Sequence, residues 1–331
     1  MNAALDPTAA SSPGSTASPS LGLGAPVLGF DVGGTDIKAA LIDASGDIRE
    51  VLRLPSPVPG PDSGAAVVHL IGEAGEAIAS RHPDAVPLAA GVSVPGYVDE
   101  AAGMAIYSEN LGWRDFPMRD RVRERLGLPV AFNHDVRAAG EAEHRLGAAT
   151  AFENVVVMTI GTGIAGAVFI KNTLYAGGGM AGEIGHSRVA SGPACVCGGR
   201  GCLEAVASAR AIAARYTELT GEPVNGAREV LQRMKAGDRT AGEVWDHALD
   251  VLALSLSQTV ALIAPEAIVI GGGLAQAGAD LFGPLTERLE EILTFQRRPL
   301  LLPARIGENA GVIGTALGAR DLLAAATQGD A

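Results

Sequence analysis

The amino-acid sequence predicts an α/β fold of two similar halves facing each other across a cleft, and three observations support this. A strand, a Gly-rich turn and a second strand (VLGFDVGGTDIKAALID) run from Val27 to Asp43. The same succession (VVVMTIGTGIAGAVFIKN) recurs from Val155 to Asn172, and Asp31–Ile42 overlays Thr159–Ile170 without a gap. Each hairpin opens a segment in which apolar runs of strand length are joined by helical periodicity, the pattern of a duplicated α/β unit.

The chain has 331 residues, room for two domains of roughly 100–200 residues each. Its hydrophobic content of 47% fits a globular protein with a sizeable core. No apolar run approaches the ~20 residues that a bilayer span needs, which argues against a membrane protein. The net charge of −12 opposes the phosphate backbone and argues against a nucleic-acid partner. Three clustered cysteines with no secretion signal point to a reducing, cytoplasmic setting. Residues 1–25 are Ser, Pro, Ala and Gly with almost no charge, so they are expected to form a disordered tail. That tail is also too short and too poor in basic residues for a helix-turn-helix domain.

In the first hairpin Gly33 and Gly34 let backbone N–H groups approach an anion closely, and Thr35 adds a hydroxyl. Asp31, at the strand end, is placed to hold Mg²⁺ through water. Gly-Gly turns also join strands in proteins that bind nothing; the recurrence at Gly161, Thr162 and Gly163 favours a phosphate gripped between the halves. Gly64–Arg81 has helical spacing, and Leu88–Val94 reads as a buried strand running into the turn Ser93–Asp99. Asn110-Leu111-Gly112-Trp113 reads as a turn with a packed Trp. Pro129–Phe132 is a short strand, and a helix starts at Asp135, where a carboxylate serves as an ordinary cap. Further on, Ala205–Glu218 and Gly242–Ala264 read as helices and Ala267–Ile270 as a buried strand leading to Gly271-Gly272-Gly273. Leu300–Ala304 is a last strand and Gly311–Ala326 a closing helix.

All three cysteines, Cys195, Cys197 and Cys202, fall within eight residues, with His186 a short loop upstream. A Cys₃His set satisfies tetrahedral zinc completely and leaves no open position for water, so the site it predicts is structural. A disulfide is the competing reading, but the count is odd and Cys195 and Cys197 stand too close to bridge easily. Glu183 and Glu204 bracket these ligands, so a metal would hold two acids and an imidazole in fixed relation, an arrangement suited to sugar hydroxyls.

The runs EIGH and CVCGGRGCLE resemble the signature of the ROK family (repressors, open reading frames, kinases), and the likeness extends from Val27 to the last helix. The resemblance implies an actin-like or hexokinase-like ATPase fold of duplicated ribonuclease H-like domains with the active site in the cleft between them. The first domain would cover 26–134 and be rejoined by the closing helix, 314–327; the second would cover 135–313 and carry a zinc loop, 183–204. It also implies a cytoplasmic ATP-dependent hexose kinase acting on the 6-hydroxyl of glucose, with Asp135 as general base and Asn110, His134, Glu183, His186 and Glu204 around the sugar. Asp31, Gly33, Gly34, Thr35, Lys38, Gly161, Thr162, Gly163, Gly272 and Gly273 would serve the nucleotide with Mg²⁺, and His186, Cys195, Cys197 and Cys202 the zinc. The chain departs from the family at His134, where Asn usually precedes the catalytic Asp. N-acetylglucosamine and N-acetylmannosamine therefore stand as alternative acceptors, and polyphosphate as an alternative donor. A sugar-responsive regulator lacking its DNA-binding domain is the reading from another class. Relatives of this family are often homodimers or homotetramers.

Overall fold

The computed structural model describes residues 18–329. The expected tail lies outside these residues as far as residue 17. Its last part, Ser18–Ala25, is packed rather than disordered. The Arg320 guanidinium donates to the carbonyls of Ala25 (3.1 Å), Gly22 (2.6 Å) and Asp43 (2.8 Å), and Asn309 Nδ2 donates to Ser18 Oγ at 2.9 Å.

The first half opens with β1 (Val27–Val32), β2 (Asp36–Ile42) and β3 (Ile48–Pro55), an antiparallel meander. Helix α1 (Ser63–Arg81) then crosses to β4 (Ala89–Val94), which pairs parallel to β1. All six residues of β4 are buried, as expected of a strand covered on both faces. A small antiparallel sheet follows, β5 (Tyr97–Asp99), β6 (Met104–Tyr107) and β7 (Arg114–Phe116). Helix α2 (Met118–Leu126) stops at Gly127 with φ +67°, a left-handed cap that favours glycine. Then β8 (Val130–His134) joins β4 in parallel and runs directly into α3 (Asp135–Leu146).

The second half repeats this plan with β9 (Val155–Ile160), β10 (Ile164–Ile170) and β11 (Thr173–Leu174). Two short 3-10 turns, Gly177–Gly179 and Ile184–His186, lead through the cysteine loop to α4 (Leu203–Ala207), α5 (Ala209–Thr220), α6 (Ala227–Lys235) and α7 (Arg239–Ile263). The remaining elements are β12 (Ala267–Gly271), α8 (Ala279–Ile292), β13 (Leu300–Pro303) and α9 (Ala310–Gly329). The two five-stranded sheets have the same order, β3-β2-β1-β4-β8 and β11-β10-β9-β12-β13, with the hairpin antiparallel and the last two strands parallel in each. The duplication legible in the hairpins therefore extends through both sheets.

Each sheet buries its own core. Phe30, Val92 and Phe132 pack with Ile71, Ile78 and Trp113 in the first half; Met158, Ile268 and Ile270 pack with Trp245, Leu252 and Leu256 in the second. Helix α9 returns to the first sheet and lies against β1, β4, β8 and α3. Its approach is too close for side chains: a Cβ on Gly91 would sit 1.9 Å from the Thr315 carbonyl oxygen, and one on Gly314 1.8 Å from that of Ala138. The helix expected over Ala205–Glu218 is interrupted at Ser208, whose extended backbone (φ −68°, ψ 158°) ends α4 and whose Oγ accepts the Ala211 N–H to cap α5.

Candidate active site

Asp31 is the penultimate residue of β1 and Asp135 begins α3, so both carboxylates stand at the carboxyl edge of the first sheet, and β12 brings Gly271–Gly273 to the corresponding edge of the second. A cavity of about 510 Å³ lies between these edges, lined by Asp31, Gly33, Lys38, Asp135, Thr159 and Gly271–Gly273 among others. Gly272 has φ +83°, and a Cβ there would meet the Ile160 carbonyl oxygen at 2.5 Å, so this turn needs glycine both for its backbone and for its closeness to β9. Sequence reasoning missed Glu143, Gln276 and Glu308, which also line the cavity. They lie on α3 and on two 3-10 turns, Leu274–Ala277 and Gly307–Asn309, whose convergence depends on the tertiary fold.

Asp31 accepts a hydrogen bond from Ser93 Oγ at 3.0 Å, and α9 presses against it where a Cβ on Gly311 would lie 2.2 Å from Oδ2. Burial first, and the neighbouring Asp135 second, push the Asp31 carboxyl up to about 6. Burial likewise pushes Asp135 up to about 6, opposed by the Val136 N–H that donates to its Oδ1 at 2.7 Å and by Arg137. Two crowded carboxylates whose ionised forms are disfavoured make a site that a divalent cation would relieve. Lys38 Nζ donates to the Glu308 carbonyl at 2.6 Å on the cavity wall.

The first hairpin turn is closed by Gly33 N–H donating to the Asp36 carbonyl (2.9 Å), with Ser56 donating to the carbonyls of Gly33 (Oγ, 2.6 Å) and Thr35 (N–H, 3.0 Å). Gly34 and Thr35 are exposed at its tip, and Asn110 lies over Gly34, its Cβ 3.4 Å from where a Cβ on that glycine would be. In the second turn Gly161 N–H donates to the Gly163 carbonyl (2.9 Å), beside Thr162. Glu204 Oε2 accepts the Ile164 N–H at 2.9 Å, and a Cβ on Gly163 would meet that same oxygen at 2.4 Å. Glu204 thus fastens α4 to the second hairpin.

From Asp135 a line of polar groups leads away from the cavity. His134 Nε2 stands 3.3 Å from Asp135 Oδ1 and 4.0 Å from Glu183 Oε1. Glu183 Oε2 stands 4.0 Å from His186 Nε2, and the other ring nitrogen, Nδ1, is 3.6 Å from Cys195 Sγ. Cys197 Sγ and Cys202 Sγ lie 3.7 Å apart, and one ligand atom from each of His186, Cys195, Cys197 and Cys202 falls within 4.8 Å of all the others. Zn–S bonds of about 2.3 Å and Zn–N bonds of about 2.0–2.1 Å imply tetrahedral edges of roughly 3.8 Å between sulfurs and 3.6 Å between sulfur and nitrogen. The four residues therefore fit zinc. Burial, then hydrogen bonding with Cys197 and Cys195, pushes the Cys202 thiol up to about 12, a penalty a bound cation would reverse.

Two further groups hold this line, and neither was found from sequence. Glu100, at the β5–β6 turn, accepts at Oε1 from His134 N–H (3.1 Å) and Arg137 Nε (2.8 Å). Arg137 is 1% exposed and also donates from Nη1 to the Gly179 carbonyl (3.3 Å) in the second half. A lone Arg in the first turn of an apolar-faced helix is the only local signal, since its partners come from other elements.

Two like α/β halves closing a cleft, with glycine turns on both walls and paired carboxylates at its edge, define an actin-like ATPase fold. The chain belongs to the ROK family, whose profile matches residues 27–321, and it is a ROK sugar kinase. A glucokinase of Halalkalibacterium halodurans is 34% identical over 307 residues, covering 87% of this chain and 92% of the relative. An N-acetylmannosamine kinase of Escherichia fergusonii is 32% identical over 297 residues, covering 88% and 97%. The solved structure of a ROK family glucokinase from Streptomyces griseus in complex with glucose and AMPPNP matches with a TM-score of 0.75 at 30% identity, covering 89% of this chain and 99% of that one. Among the described residues no helix is long and apolar enough to cross a membrane.

Proposed function

We propose that the protein transfers the γ-phosphoryl group of ATP to the 6-hydroxyl of glucose, with Asp135 as general base. The observation that carries this reading is the position of Asp135, which lines the cavity on one side and on the other begins the line of groups through His134, Glu183 and His186. A nucleotide in the cavity would present its phosphates to the hairpin turns at Gly33–Thr35 and Gly161–Gly163, to Lys38 and to the Gly271–Gly273 turn. Mg²⁺ beside Asp31 would supply charge neutralisation. Glu183 and His186 would hold sugar hydroxyls, with Asn110 and Glu204 bounding the site from the two hairpins. A carboxyl lifted toward neutrality accepts a proton more readily than an ordinary Asp, which suits it to the base role. Zinc bound by His186 Nδ1 and the three cysteines would leave Nε2 facing Glu183 and the sugar, so metal occupancy would couple to sugar affinity.

An N-acetylhexosamine acceptor is the second reading, favoured by the N-acetylmannosamine kinase at 32% identity and by His134 beside the base. A coupled kinase assay of the purified protein over glucose, mannose, N-acetylglucosamine and N-acetylmannosamine, with ATP or polyphosphate, tests both. Glucose with ATP is expected to give the highest kcat/KM. An N-acetylated sugar in first place would replace glucose by that acceptor, and no turnover with any sugar would overturn the assignment of this acceptor class.

A further inference from the structure

We propose that His134 is a positioning residue for the base: when the site closes over substrate its Nε2–H takes hold of Oδ1 of Asp135, so that Oδ2 is the oxygen that takes the proton of the attacking hydroxyl. The inference rests on the reading of Asp135 as the base. Both close contacts of that carboxylate fall on one atom, Oδ1, which accepts Val136 N–H at 2.7 Å and lies 3.3 Å from His134 Nε2. At 3.3 Å the two atoms are within reach but not aligned as a hydrogen bond, and in the proposed arrangement that bond forms when substrate closes the site. Nε2 faces carboxylate oxygens of Asp135 and Glu183, acceptors only, so the imidazole proton belongs on Nε2. The ring nitrogen left as a bare lone pair, Nδ1, is buried without a partner.

His134 is 5% exposed, which leaves Nε2 as its one polar atom able to address the cleft. Burial, and Arg137 after it, hold the imidazole down at about 4, so the ring stays neutral and keeps its proton through turnover. Its main chain is anchored as well: Glu100 takes the His134 N–H and also Arg137 Nε, and Arg137 reaches the Gly179 carbonyl. The backbone that carries the ring is therefore held in place while Nε2 faces the base.

In the step itself the sugar O–H bond breaks and its proton passes to Oδ2. The oxygen's electron pair forms the bond to the γ-phosphorus, and the bond from that phosphorus to the departing ADP oxygen breaks. His134 neither gains nor loses a proton. Around Asp135 the other charged groups are Asp31 from β1, Lys38 from β2, Arg137 and Glu143 from α3, Glu308 ahead of α9, and Glu183 behind the histidine.

The test compares wild type, His134→Leu and His134→Gln by kcat, KM and the pH profile of kcat, using whichever sugar of the panel gives the highest turnover. Loss of the donor in His134→Leu is expected to lower kcat by roughly 10- to 100-fold, leave KM within about twofold, and move the acid limb up by about one pH unit. Gln carries an N–H of similar reach and is expected to recover kcat to within about fivefold of wild type. A His134→Leu change confined to KM, or a Gln variant no better than Leu, overturns the proposal. Should His134→Leu fail to fold, ¹⁵N-histidine NMR of the wild type decides: a proton on Nε2 is expected, and one on Nδ1 overturns it. Asp135→Asn run alongside separates the two readings, because normal turnover there removes the base, whereas an inactive Asn variant with a KM-only His134 effect removes only the positioning role.

Discussion

Replacing Asp135 by Asn keeps the shape of the side chain and its acceptor for Val136 N–H while removing the charge. The carboxyl is shifted from 3.8 to about 6, chiefly by burial, a gap of about two units that corresponds to ~3 kcal/mol. The folded-state value lies above the unfolded one, so the folded protein binds this proton more tightly. The ionised side chain costs stability at every pH above about 6, and the cost disappears by about pH 4. With an unfolding entropy of about 2.1 cal/mol/K per residue, 331 residues convert 3 kcal/mol into a shift of about 4 °C. The side chain is 29% exposed, which makes this an upper bound. Asp135→Asn is therefore expected to melt higher than wild type at pH 8 without nucleotide, with a gain that fades toward pH 4, while turnover falls by roughly 10²- to 10⁴-fold. Differential scanning fluorimetry across pH and a coupled assay read the two effects. Turnover within tenfold of wild type, or a lower melting temperature at pH 8, would refute the account of Asp135 as a base strained by burial, since a mere helix cap loses nothing when Asn replaces Asp.

Cys197→Ser is expected to reduce zinc from about one ion per chain and to lower the melting temperature by about 5 °C, because loss of a metal ranks with the larger single-residue effects. Elemental analysis showing unchanged zinc would contradict the four-ligand site. Glu183→Gln is expected to raise the sugar KM roughly 10- to 100-fold with kcat nearly unchanged, the loss of a charge-assisted hydrogen bond of ~1.5–3 kcal/mol; an unaltered KM would take Glu183 out of the sugar site. Arg320→Ala removes the guanidinium that holds the carbonyls of Gly22, Ala25 and Asp43. Hydrogen exchange over residues 18–25 should speed up while kcat stays within about twofold, and unchanged exchange would show that this contact does not order the segment. Wild-type kcat/KM should fall on acidification through about pH 6, where Asp135 and Asp31 both take up protons, and a flat profile down to pH 5 would show that neither titrates there.

What was legible in the sequence was what short spacing controls. The hairpins were readable because glycine in a tight turn is a local requirement, and their repeat carried the two-fold plan of the sheets before any strand order was known. The Cys₃His cluster is legible because its members lie within 17 residues of chain, His186 to Cys202. Strand β3 and helices α2 and α6 carry no such local mark, and the break at Ser208 is hidden because Ala-rich helical spacing continues through it and only the Ser208 cap reveals the turn. The packing of residues 18–25 is illegible for a related reason: their composition forms no core of its own, and their contacts come from the Ala44–Gly46 turn and from Asn309 and Arg320, almost 300 residues later.

The same distinction explains what was missed around the base. Asp135 stood out because a strand ends and a helix begins there, whereas Glu100 has no local mark and joins Arg137 across 37 residues only because the β5–β6 turn folds back beneath β8. The consequence is mechanical. Glu100 holds the backbone just before Asp135, and the arginine it binds also takes the Gly179 carbonyl, so ties from the β5–β6 turn and from the turn at Gly179 meet beside Asp135. A Cβ on Gly179 would come within 2.4 Å of the Val98 carbonyl oxygen, so the lobes meet at that point with no room for a side chain. Gly179→Ala is expected to part this contact, weakening the Arg137 tie and lowering kcat about tenfold with little change in zinc content. Full activity in that variant would show that the Gly179 tie does not govern the orientation of Asp135.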